Sequence, residues 1–132
     1  MSEAINKSEI REKIIEALKG VYDPEIPVNI YDLGLIYEIQ VNDDMSVYIR
    51  MGLTTPFCPM VSSIVSVVEE EVEKKLSSLG FKKVYVDIDI SKPWSAKMIT
   101  KEGREQLKSI YGYDIVEEMI KREEEMMSSE KT

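Results

Sequence analysis

Apolar residues recur at helical spacing near the start of the chain: Ile10, Ile14, Ala17, Leu18 and Val21. Asn6 stands ahead of them as a cap with Glu9 three residues on, and Ile5 and Ile10 have the spacing of a hydrophobic staple. A first helix is predicted from Asn6 to "YDPEIP", where Pro24 and Pro27 restrict the residues before them. The period then changes to two. "LIYEIQV" (35–41) sets Leu35, Tyr37, Ile39 and Val41 on one face, against Glu38 and Gln40. After Asn42-Asp43-Asp44, "MSVYIRM" (45–51) sets Met45, Val47, Ile49 and Met51 on one face. Two alternating runs and a polar turn predict an antiparallel hairpin. Val61, Ile64, Val65, Val68, Val72, Leu76 and Leu79 next form an apolar stripe, with Pro59 suited to the first helical position and Gly80 to the end. This predicts a long helix of about five turns. "KVYVDIDI" (83–90) predicts a third strand with Val84, Val86, Ile88 and Ile90 facing inward. A loop through "SKPWSAKM" leads to a helix opened by Thr100 or Ile99 and carrying Leu107 and Ile110. Tyr111-Gly112-Tyr113 interrupts it. Asp114 and Glu117 cap a last helix through about Arg122, and residues 123–132 read as a charged tail that frays.

The order is α-β-β-α-β-α(-α). Each strand has one apolar face, so helices are needed on one side only. The expected fold is α+β: a small two-layer sandwich with a three-stranded mixed sheet and helices on one face. The second and third strands, joined through the long helix, should be parallel with a right-handed crossover. One domain is expected over 1–122, with 123–132 as its tail.

Composition narrows the function. The 132 residues are 43% hydrophobic and 32% charged, as in an ordinary globular chain. A net charge of −8 disfavours nucleic acid and anionic membranes as partners. No run approaches the roughly 20 apolar residues of a membrane span, and the N-terminus lacks the regions of a signal peptide. One cysteine suggests a reducing compartment, so the expectation is a soluble cytoplasmic protein. With no histidine, there is no Ser-His or Cys-His dyad and no His-containing zinc site. A thiol enzyme is disfavoured, and the chain reads as a non-enzyme.

The lone cysteine lies in "TTPFCPM" (54–60). If Pro59 is the first residue of the long helix, Cys58 is at or beside its N-cap. The unpaired amides there stabilise a thiolate and lower the pKa from the free value of about 8.5. The alternative is a small, inert, buried thiol. Cysteine is not a usual N-cap residue, and two prolines fix the backbone around it, which favours function. Metal ligation needs no base. Iron–sulfur clusters usually take four thiolates, and this chain offers one. A cluster would therefore be held transiently, shared with a second subunit in a homodimer, a small thiol or the cysteines of a client.

Two further segments stand out. "DPEIPVNIYDLGLIYEI" (23–39) brings Asp23, Glu25 and Asp32 into one loop with Asn29 and Gly34. Turn chemistry accounts for each acid singly; together they suggest a hard-cation site or a negative rim beside the thiol. In "KPWSAKMITKEGREQL" (92–107), Trp94 is expected to cover an open end of the core. Arg104 is expected to bridge to Asp32 or Glu25.

The three segments "DPEIPVNIYDLGLIYEI", "MGLTTPFCPM" and "KPWSAKMITKEGREQL" together resemble the family of small iron–sulfur assembly proteins that includes SufT and the PaaD-type proteins. The resemblance runs from about Ile10 to Leu107. It implies a compact α/β fold and a role in maturing apo iron–sulfur proteins by helping to transfer clusters. It carries the family's key cysteine onto Cys58, its threonines onto Thr54 and Thr55, and its acidic signature onto Asp23, Glu25 and Asp32. Phe57 stands where glycine is frequent, and Lys92 where many members have proline. The implied partners are apo iron–sulfur clients and other assembly factors. The alternative is a metal-free adaptor that recruits clients, with Cys58 merely structural.

Overall fold

The structure, a computed structural model, describes residues 6–23, 26–54, 61–81, 83–89, 91 and 94–130, without the side chains of 61–63 and 127–130. Helix α1 spans Lys7–Leu18. Its start follows from the sequence: the Asn6 side chain accepts from the Glu9 N–H at 3.1 Å. Ile10, Ile14 and Leu18 make its buried stripe.

Strands β1 (Ile36–Val41) and β2 (Ser46–Met51) form the expected antiparallel hairpin. Met45 and Tyr37 depart from the alternation. Met45 does not begin β2; it ends the turn, with a left-handed φ of 67°. Tyr37 does not face the core. Ile36 pairs with Met51 and Glu38 with Arg50, so Tyr37 is the extra residue of a β-bulge. The bulge turns its ring outward, against Gly52 and 5.8 Å from the Arg50 guanidinium.

Helix α2 (Val61–Leu76) follows, tightening into a 3-10 turn at Ser77–Leu79. Ile64, Val68, Val72 and Leu76 are buried, but Leu79 is exposed because that turn has already left the stripe. Gly80 closes it with φ 89°. Strand β3 (Lys83–Ile88) then pairs parallel to β2, Val84 beside Val47 and Val86 beside Ile49. The sheet order is β1-β2-β3. Helices α1 and α2 pack on each other, α1 touching β1 and α2 touching β3. The fold is α+β with a three-stranded mixed sheet.

Helices α3 (Lys101–Tyr111) and α4 (Ile115–Glu130) pack on each other as a hairpin, and among the described residues neither lies directly against a strand backbone. Leu107 and Val116 join the core, whereas Ile110 is exposed. Helix α4 passes the expected stop at Arg122 by eight residues. Glu123 explains part of this: its carboxylate accepts from the Ser95 hydroxyl at 2.7 Å and the Ala96 N–H at 2.9 Å.

Candidate functional site

Ile36 is opposite Met51, and Met51 is beside Ile88. The start of β1 and the ends of β2 and β3 therefore share one end of the sheet. Three loops converge there: 26–35 into β1, residues 52–54 after β2, and residues 89, 91 and 94–99 after β3. Backbone bonds hold them together. The Gly52 N–H donates to the Leu35 carbonyl and the Asp89 N–H to the Met51 carbonyl, each at 2.8 Å.

Asp32, 4% exposed, is the hub. Its carboxylate accepts from Asn29 Nδ2 at 2.9 Å, Thr100 Oγ1 at 3.0 Å and Gln106 Nε2 at 3.4 Å. Its own N–H donates to Asn29 Oδ1 at 2.8 Å, and its carbonyl accepts from the Thr100 N–H at 2.7 Å. A buried carboxylate is tolerated when so many donors serve it. Thr100 also caps α3, accepting from the Gly103 N–H at 3.1 Å. Close approach is built into two glycines. Gly34 has φ 79° and lies against Met98. A Cβ on Gly103 would sit 2.8 Å from the Asp32 carbonyl oxygen.

Asp23 is also buried. Its carboxylate accepts from the Ile26 N–H at 2.8 Å and from the Thr54 hydroxyl at 3.4 Å. Asp23 and Thr54, 31 residues apart in sequence, thus meet at this end of the sheet. Trp94 closes the other flank: its indole N–H donates to the Leu33 carbonyl at 2.6 Å.

Arg104 does not join Asp32. Its guanidinium binds Asp114 bidentately, Nη2 to Oδ2 at 2.6 Å and Nε to Oδ1 at 3.1 Å. The reason is local. Gly112 turns the chain back, so the cap of α4 lies beside α3, while Asp32 is already served by neutral donors. The bond from Arg104 holds the Asp114 carboxyl below its usual value, and Asp114 in turn raises Arg104. On the open sheet face, hydrogen bonds from Ser91 and then Arg50 lower Asp89.

Cys58, Thr55 and Glu25 lie outside the described residues. Cys58 follows Thr54 by four residues and precedes Val61, the first residue of α2, by three. Among the described residues, no group of three or more Cys, His, Asp or Glu side chains is arranged to hold a metal ion. No described helix is long and apolar enough to cross a membrane.

Sequence reasoning missed Thr100 and Gln106 as partners of Asp32. Thr100 carried a signal, an N-cap residue three before a glycine; Asn29, three before Asp32, carried the spacing of a side-chain turn. Gln106 carried none.

The model of a family described as iron–sulfur cluster assembly protein matches residues 11–80. An Fe-S protein maturation auxiliary factor of Porphyromonas gingivalis is 42% identical over 73% of this chain and 89% of its own. The Bacillus subtilis factor YitW is 36% identical over 72% of this chain and 90% of its own. Among solved structures, a conserved hypothetical protein of Thermotoga maritima matches with a TM-score of 0.62 at 36% identity, over 80% of this chain and 97% of that one.

Proposed function

The chain belongs to the iron–sulfur cluster assembly family, and on that premise we propose that it serves apo iron–sulfur proteins as a carrier, holding a cluster in transit on the Cys58 thiolate. The observation that supports this is the convergence of the three motif segments at one end of the sheet. There β2 ends, and Thr54, four residues before Cys58 in the sequence, donates to the buried Asp23.

The chemistry is ligand exchange. A thiolate binds iron without a general base, and no bond need be made or broken by the chain beyond iron–sulfur coordination. One cysteine and no histidine cannot complete the ligand set of a cluster held by cysteines alone. The cluster is therefore cargo, its remaining positions filled by a small thiol or by the client. Client cysteines lose their protons as they bind and displace Cys58, which leaves with the chain. A thiolate close to the start of α2 would be favoured by the unpaired amides of a helix N-terminus. Asp23, Thr54 and Asp32 act by fixing the loops, and Thr55 and Glu25 complete the same motifs. The setting is the cytoplasm, with other assembly factors as donors.

The test is reconstitution with iron and sulfide under anaerobic conditions, comparing the protein with Cys58→Ser. Visible cluster absorption in the first and its loss in the second is the expected result. Equal absorption in both, or none in either, overturns the carrier reading; with client maturation intact, it would leave an adaptor.

A further inference from the structure

β3 is an edge strand whose outer side is complementary to itself. The Asp89 N–H donates to the Met51 carbonyl, on the β2 side. Amide directions alternate along a strand, so Lys83, Tyr85 and Asp87 turn their backbone groups toward β2. The N–H and C=O groups of Val84, Val86 and Ile88 point the other way. Among the described residues no strand lies there, since the sheet order ends at β3. Such a row of free donors and acceptors is a template for another strand.

The sequence along that edge, Lys83-Val84-Tyr85-Val86-Asp87, reads almost the same in both directions, with opposite charges at its ends. From this geometry we infer that β3 pairs with β3 of a second copy, antiparallel, about a two-fold axis through Tyr85. Closed symmetry requires the antiparallel sense. In this register Val84 faces Val86 of the second copy and exchanges both backbone bonds with it, and the second such pair does the same. Tyr85 faces its own counterpart, and Lys83 faces Asp87 of the second copy at each end. These are the non-hydrogen-bonded pairs, in which side chains stand closest. Shifting the axis to Val84 or Val86 sets Lys83 or Asp87 against Tyr85 and loses both charge matches. The faces also agree. Val84 is buried, while Tyr85 is 53% exposed on the open face. Val84 and Val86 extend the covered layer, and Lys83, Tyr85 and Asp87 extend the open face. Asp87 already accepts from the Tyr48 hydroxyl at 3.1 Å, which holds it in place. The joined sheet has six strands.

Lysine on an edge also serves to repel other strands; charge reversal separates that role from pairing. The wild-type chain should sediment as a concentration-dependent dimer. Lys83→Asp and Asp87→Lys should each weaken it by about tenfold, since each sets like charges opposite at both ends. Mixing the two variants should restore a dimer, because every facing pair is again of opposite sign. The second measurement uses Cys58→Ser as background, so it does not depend on the thiol reading. Tyr85→Cys should then form an intermolecular disulfide, its Cα separation near 4.5 Å suiting that bond. Tyr22→Cys, at an exposed position away from the edge, should not. A wild type that stays monomeric at millimolar concentration, a mixture no tighter than its components, or a Tyr85→Cys that cross-links no faster than Tyr22→Cys overturns the inference.

Discussion

Thr100 is tied to Asp32 twice, its N–H donating to the Asp32 carbonyl at 2.7 Å and its hydroxyl to the carboxylate at 3.0 Å. These bonds join the first motif segment to the third across 68 residues. Asp32→Ala removes the acceptor of Asn29, Thr100 and Gln106 together and leaves donors without partners. The expected loss is about 3 kcal/mol or more in urea unfolding. Thr100→Val loses the cap of α3 and one bond to Asp32, for about 1–2 kcal/mol. Since the two residues share a network, the double variant should lose less than the sum.

Gly103 lies inside α3, where alanine ordinarily stabilises by roughly 1 kcal/mol. Here the added Cβ would meet the Asp32 carbonyl oxygen at 2.8 Å. Gly103→Ala should therefore lower the melting temperature. A rise would mean that α3 can slide from the acidic loop without loss.

Acid should weaken the helical hairpin through Asp114. The hydrogen bond from Arg104 holds its carboxyl below the usual aspartate value in the folded chain. A group lowered on folding gives stability that is complete above its unfolded value and is lost as pH falls through the folded one. The loss should appear below about pH 4. Asp114→Asn keeps an equally good cap for α4. It should flatten that part of the stability-against-pH curve, and Arg104→Gln should do the same.

The element order was legible because the apolar period changes cleanly between 3.6 and 2. What periodicity cannot carry is an extra residue: the bulge at Tyr37 leaves the letters alternating while the side chain turns outward. The length of α4 was hidden for another reason. "EEEMM" shows little apolar stripe, yet Glu123 is held by Ser95 and Ala96, a bond between segments far apart in sequence. The choice of Asp114 over Asp32 by Arg104 was equally out of reach, because it depends on where the turn at Gly112 sets α4. Asp23 and Thr54 stand in separate sequence motifs, and a hydrogen bond joins them in the fold. Asp32 was also named, but its partner Gln106 has no local pattern to betray it.

Whether the Cys58 sulfur hands on a cluster is read by cluster transfer itself. The chain, loaded anaerobically in the presence of a small thiol, is mixed with an apo iron–sulfur client, and recovery of client activity is timed against Cys58→Ser treated identically. Rapid recovery with the native chain, falling to the rate of free iron and sulfide with the variant, is the predicted result. Equal recovery with both proteins would contradict it.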